Sequence, residues 1–321
     1  MSAPQSAHGA HIAHIPKPRT RRVLINSDAK NEADDQYALV HALLSPTLDV
    51  RGIIPAHFGT SRSATSMLDS RAEVDLLLDL LGRRGTVTVA NGAAHALPDA
   101  HTPVDSPGAR LILDEVATAG DDGLLIAFLG PLTDMASAIL LDPSMVRPGV
   151  TVIWIGGPGY GDDVHSFGSW PEFNLRNDIA AANVVFGSGI AIWQVPSTIY
   201  RLVNVGYAEL RRRVQPHGEL GDYLVRQLVE WNAVYHRTPI ESRSLGDSPA
   251  IGLMLEPWSG VFRRQEPVRF TADGHYEPSS TGSPVLVLES YDVRFLLEDM
   301  FAKIADFGEG TDRPTGRGAH D

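Results

Sequence analysis

Arg22-Val-Leu-Ile-Asn26-Ser-Asp-Ala-Lys-Asn-Glu-Ala-Asp-Asp35-Gln-Tyr-Ala-Leu-Val-His-Ala-Leu-Leu44 is the stretch on which the fold turns. Its first five residues are a short apolar run ending in a polar residue, the pattern of a buried strand. From Gln36 to Leu44, the residues Leu39, Leu43 and Leu44 share one side of a helix that Pro46 ends. Val50-Arg-Gly-Ile-Ile54 then supplies a second buried strand. The alternation continues along the chain. Helices are expected over 61–81, 109–119, 132–141 and 179–186, and strands over 86–90, 124–129, 150–155 and 190–195. Strand and helix taking turns at least five times predict an α/β fold: a mostly parallel sheet, helices on both faces, right-handed crossovers. Residues 207–235 read as predominantly helical and form a candidate cap. A helix over 249–255, a hairpin within 262–276 about Asp273-Gly274, and a late strand over 285–290 complete the pattern.

No stretch rich in Gly, Ser or Pro interrupts the middle of the chain, so residues 22–305 are expected to form a single domain. Residues 1–21 and 306–321 read as flexible tails; His8, His11 and His14 lie in the first without an apolar stripe to order them. The chain has no cysteine, which excludes thiolate metal sites and cysteine nucleophiles and fits a cytoplasmic location. A net charge of -12 with no basic face argues against nucleic acid as a partner. No apolar run reaches the roughly eighteen residues a membrane span needs.

In an open parallel sheet, ligands bind beyond the carboxyl ends of the strands. The loop after the first strand puts Asp28, Glu32, Asp34 and Asp35 within eight residues. Carboxylates this close repel one another unless a cation or a proton compensates. Asp34 or Asp35 could cap the helix that follows, but one cap needs one side chain and this loop offers four acids. Oxygen ligands without cysteine nearby point to Ca²⁺ or Mg²⁺ rather than zinc. The acidic loop also speaks against a dinucleotide fold, which needs a glycine-rich phosphate cradle there.

With these residues in place, the chain resembles the inosine-uridine-preferring nucleoside hydrolases. That family begins with a strand followed by Asp-x-Asp-Pro-Gly-x-Asp-Asp and an apolar helix. Here Asp28 and the Asp34-Asp35 pair match its outer positions, and an ungapped alignment puts Lys30 on the middle aspartate. Leu129-Gly-Pro-Leu-Thr-Asp134, Ile155-Gly-Gly157 with Pro171-Glu-Phe-Asn174, and Gly246-Asp-Ser-Pro-Ala250 look like three further landmarks in the family's order. Together they span about residues 22 to 305 and suggest a divergent branch.

The resemblance implies Ca²⁺-dependent hydrolysis of the bond between ribose and base in a ribonucleoside. It implies that Asp35, the backbone carbonyl of Thr133 and Asp247 hold calcium, with Asn31 as a replacement oxygen ligand for the one lost at Lys30. Asp28 would be the base that takes a proton from water, Asp34 would hold a ribose hydroxyl, and Glu172 and Asn174 would bind the rest of the sugar. Gly246 stands where many members carry a histidine that protonates the leaving base. His57, His165, Trp170 and Trp231 are the candidates for contact with that base. A homo-oligomer, dimer or tetramer, is expected from the family. Two other readings remain: a hydrolase of a different glycoside on the same fold, and a nucleoside-binding protein without catalysis.

Overall fold

The computed structural model describes residues 20–161, 170–236 and 238–310. Its first elements are β1 (Arg21–Ser27), α1 (Asp35–Leu43), β2 (Leu48–Pro55) and α2 (Ser66–Leu80). Then α3 (Pro107–Thr118) leads to β3 (Leu124–Phe128), α4 (Thr133–Leu141) to β4 (Val150–Ile155), and α5 (Phe173–Asn177) with α6 (Ile179–Gly187) to β5 (Ala191–Val195). The helical segment that follows holds α7 (Ser197–Tyr200), β6 (Asn204–Gly206), α8 (Tyr207–Arg213), α9 (Gly218–Tyr235), β7 (Ser242–Ser244) and α10 (Ser248–Leu255). The chain closes with β8 (Gly260–Gln265), β9 (Val268–Phe270), β10 (Tyr276–Pro278), β11 (Val285–Tyr291) and α11 (Val293–Gly308).

Seven strands form one sheet in the order β2-β1-β3-β4-β5-β11-β8. All neighbours run parallel except β8, which is antiparallel to β11 at the edge. Both faces are covered, so strand residues alternate between two cores rather than between core and water. Ile25, Ile53, Ala127 and Ile153 belong to one core, with α1, α2, α9, α10 and α11. Leu24, Ile54, Ile126 and Val152 belong to the other, with α3, α4 and α6. From β1 the chain steps outward to β2 and then returns across to β3. The loops after β1 and β3 therefore diverge, and the crevice between them is the topological switch point of the sheet.

The structure departs from the expected elements in four places. The expected strand over 86–90 is a single bridge, Val89 against Ile53, which caps the outer edge of β2 with two backbone hydrogen bonds. Helix α2 begins at Ser66, because the Ser63 and Thr65 hydroxyls bind the Asp69 carboxylate and hold residues 61–65 in a loop. The hairpin at Asp273-Gly274 is formed by β9 and β10 and stands apart from the main sheet, while β8 pairs with β11. At the C-terminal end α11 continues to Gly308, past the expected start of a tail. No helix among the described residues is long and apolar enough to cross a membrane.

Candidate active site

The strand β1 ends at Ser27, so Asp28 is the first residue to leave the sheet at the switch point. Its carboxyl packs on the loop after β3: a Cβ on Gly130 would come within 2.9 Å of Asp28 Cγ, so only glycine allows this approach. Asp34 and Asp35 sit at the N-terminus of α1 and Asp247 at the N-terminus of α10, where helix dipoles favour negative charge. Asp34, Asp35 and Asp247 each present an oxygen within 4.8 Å of the other two, all buried. These residues line a cleft of about 60 Å³ together with Asp28, Asn31, Glu32, Leu129, Ile155, Glu172, Phe173, Asn174, Tyr200 and Gly246.

Burial pushes the carboxyl of Asp28 well above the usual carboxylate range, reinforced by Asp35, Glu32 and Asp34. Burial likewise raises Asp247, with Asp35, Asp34 and Asp28 adding to it. Asp34 is pushed up to about 7 by burial, against the pull of Arg243, and Asp35 to about 6, against hydrogen bonds from Ser27 and Asp247. Among the described residues, only two groups outside this quartet donate hydrogen bonds to it. The Gly246 N–H donates to Asp34 (2.9 Å) and the Ser27 hydroxyl to Asp35 (2.6 Å). Asp28 Oδ2 is buried with no partner at all. An unpartnered buried carboxylate oxygen beside three converging ones is the donor set of a hard divalent cation. The residues present fit a metal.

The wall facing this floor comes from α5. Glu172 Oε2 accepts from the Gly157 and Leu175 amides (2.8 and 3.0 Å), and Oε1 from the Asn174 amide (3.2 Å) and the Tyr200 hydroxyl (2.8 Å). Four donors fill both oxygens, so Glu172 braces the wall. Asn174 donates both amide hydrogens, to the carbonyls of Leu129 (2.6 Å) and Ile155 (2.8 Å) at the ends of β3 and β4, which leaves its oxygen for the cleft. Tyr200 also explains Gly246, where a Cβ would lie 3.0 Å from the tyrosine ring and 3.2 Å from Asp34 Oδ2. A side chain there would need Tyr200 or Asp34 to give by a few tenths of an ångström.

Several expected residues stand elsewhere. Thr133 opens α4, and a helical carbonyl points toward the helix C-terminus, here away from the strand ends. Its hydroxyl donates to Asp178 (2.7 Å) and meets His57 Nε2 (2.8 Å), and the cleft is lined by Leu129 instead. His57 Nδ1 accepts from the Gly59 amide (3.2 Å), so both ring nitrogens are committed; burial lowers its pKa to about 4. His57 faces that second polar cluster, not the cleft. Lys30 turns to Glu73 (2.7 Å) and does not line the cleft, whereas Asp28, the residue directly after the strand, does. Trp170 is half exposed and packs on His275 (4.5 Å), and His165 lies outside the described residues. Trp231 reaches the cleft's mouth, its indole N–H donating to the Asn31 carbonyl (3.1 Å).

Sequence reasoning missed Leu129, Phe173, Tyr200, Arg62 and Arg243. The first two lie inside the motifs quoted above, but were not singled out there as lining residues. The arginines carried no local signal. Arg62 Nη1 donates to the carbonyl of Asn31 (2.7 Å) and to its side-chain oxygen, and its guanidinium lies over Phe173 (4.9 Å), Tyr235 (5.2 Å) and Trp231 (5.7 Å). Arg243 pairs with Glu32, stands 3.9 Å from Asp34 and stacks on Trp231 at 4.2 Å.

A metal-suited acidic floor lies at the switch point of an open α/β sheet, and comparison with known proteins identifies the class. The family model for inosine-uridine preferring nucleoside hydrolase matches residues 23–296. A pyrimidine-specific ribonucleoside hydrolase of Citrobacter koseri is 25% identical over 264 residues, covering 71% of this chain and 80% of that protein. A probable uridine nucleosidase of Oryza sativa is 25% identical over 295 residues, 82% of each chain. Among solved structures, a purine-preferring ribonucleoside hydrolase from Gardnerella vaginalis superposes with a TM-score of 0.75 at 18% identity, covering 90% of this chain and 99% of that one. The chain belongs to the inosine-uridine preferring nucleoside hydrolase family. It is a glycosidase acting on N-glycosyl compounds.

Proposed function

We propose that the chain hydrolyses a ribonucleoside to ribose and free base, with Ca²⁺ held by Asp28, Asp35, Asp247 and the Leu129 carbonyl. The observation that carries this reading is the unpartnered Asp28 Oδ2 beside the converging oxygens of Asp34, Asp35 and Asp247. When bound, the cation would anchor sugar hydroxyls and acidify a water at the cleft floor. Asp28, at the end of β1 on the cleft floor, would accept the proton of the attacking water. Asp34, held by the Gly246 amide, accepts a hydrogen bond from a sugar hydroxyl. Asn174 turns its oxygen to the same ring, and Glu172 keeps Tyr200 and α5 in place around it. The four carboxylates stabilise the positive charge that builds on the sugar as the bond breaks. Asn31 lines the cleft but gives its side-chain oxygen to Arg62, so its part is to hold the mouth.

The relatives named above prefer different bases, so the base is tested directly. Inosine, uridine, adenosine, guanosine and cytidine are incubated with the protein, with and without chelator, and ribose and base are quantified. Release that chelator abolishes and Ca²⁺ restores establishes the reading. Calcium binding by calorimetry without cleavage of any nucleoside moves a different glycoside to the front. Neither binding nor cleavage sinks the mechanism.

A further inference from the structure

Breaking a bond between sugar and base separates charge: the sugar becomes positive, and the electron pair goes to the base nitrogen. The site is polarised in the same sense. Its floor holds Asp28, Asp34, Asp35 and Asp247, and its mouth holds the guanidiniums of Arg62 and Arg243 on either side of Glu32. Among the described residues lining the cleft there is no histidine or lysine to protonate a leaving base. Tyr200 is turned to Glu172, and burial together with that carboxylate raises its phenol well above the usual range. Residue 246 is glycine and offers no donor side chain, and His57 is spent on Gly59 and Thr133.

Of the two arginines, Arg243 is committed to Glu32, covered by Trp231 and nine-tenths buried. Arg62 is a quarter exposed and rests on Phe173, a residue of the cleft wall. Both its hydrogen bonds come from one terminal nitrogen, Nη1; Nη2 stands 3.9 Å from Glu32, and neither it nor Nε makes a hydrogen bond among the described residues. Phe173, Trp231 and Tyr235 surround the guanidinium, and Phe173 itself lines the cleft, so Arg62 stands beside the opening. An arginine offers fixed positive charge and hydrogen bonds, not a transferable proton.

We propose that Arg62 is the leaving-group residue of this enzyme: it stabilises the departing base as an anion, in place of an acid that would protonate it. The assignment rests on the hydrolase reading above. The sugar–nitrogen bond breaks with its electron pair on the base nitrogen, and the water oxygen bonds to the sugar carbon. The water's proton goes to Asp28, and the base anion takes a proton from solvent once released. The substrate class follows. Nucleosides whose bases form the more stable anions, the oxo-purines and uracil, are turned over faster than those of adenine and cytosine, which need protonation.

Arg62→Met and Arg62→Lys are compared with the wild type on inosine and on 4-nitrophenyl riboside, whose phenolate leaves without help. The expected loss in kcat/KM for Arg62→Met is about 100-fold on inosine and under about 5-fold on the nitrophenyl compound, with Arg62→Lys between. Retained nitrophenyl cleavage also shows that the variant folds and binds metal. Equal losses on both substrates, or none on either, overturn the assignment. So does a His165→Ala variant that shows the leaving-group-dependent loss while Arg62→Met does not. A wild type that cleaves neither compound with Ca²⁺ overturns the hydrolase reading itself, and the role of Arg62 falls with it.

Discussion

Two buried polar clusters lie side by side at the carboxyl ends of the strands, and they treat their carboxylates in opposite ways. In the first, Asp134 accepts from Ser106, the Ala93 amide and Asn26, while Asp178 accepts from Thr133 and the amides of Leu97 and Ala181. Burial raises both acids, and all three donors to each work against it. In the second, four carboxylates receive, among the described residues, only the Gly246 amide and the Ser27 hydroxyl from outside the quartet. A satisfied buried acid is a structural joint, holding α3, α4 and α6 to the sheet. An unsatisfied group of them is a site that a cation completes. The count of donors, more than the count of acids, separates the two.

That contrast can be broken most forcefully at Asp28. Asp28→Asn should lower kcat/KM by about 10³-fold or more and weaken Ca²⁺ binding, read by steady-state kinetics and calorimetry. An active Asp28→Asn variant would remove the quartet's distinction. In the satisfied cluster, Asp178→Ala strands the Leu97 and Ala181 amides and the Thr133 hydroxyl. It should cost about 2–4 kcal/mol by denaturant unfolding while leaving Ca²⁺ affinity within about threefold.

Acidity sharpens the comparison next. Asp34 and Asp35, at about 7 and about 6, hold protons in the folded state that the unfolded chain gives up near 4. The folded state therefore binds more protons between about pH 4 and 7, so without metal stability falls as pH rises through that window. In chelator, Tm should drop by roughly 5 °C between pH 5 and 8, and saturating Ca²⁺ should remove most of the drop. A Tm independent of both pH and calcium would show that the quartet is already compensated. The smallest effect is expected at Lys30, whose ammonium is half exposed and faces Glu73. Lys30→Ala should change Ca²⁺ affinity by less than about threefold, because the side chain never enters the cleft.

The sequence was a good guide wherever the signal was local. The strand–helix alternation followed from periodicity, and Val150–Ile155 appears with the expected bounds because apolar residues fill both faces of a buried parallel strand. The acidic loop was legible because its four acids are neighbours in the chain. Register within that loop was not. An ungapped alignment put Lys30 on a ligand's place, whereas the length of the loop is decided by where β1 ends and α1 begins. Thr133 was misplaced for a similar reason: a motif gives the residue, and helix geometry decides where its carbonyl points.

By itself, then, the sequence determined the layered α/β architecture, the family and an acidic centre, because each is written in short-range pattern. Only the tertiary structure decided which acids converge, that Glu172 is saturated, that Tyr200 crowds residue 246, and that Arg62 and Arg243 meet over Trp231. Those are facts about distance between residues far apart in the chain. They arise when the chain leaves β1 and β3 for opposite faces of the sheet and α9 and β7 fold back over the opening. No local pattern encodes such distances; they follow from how the layers pack.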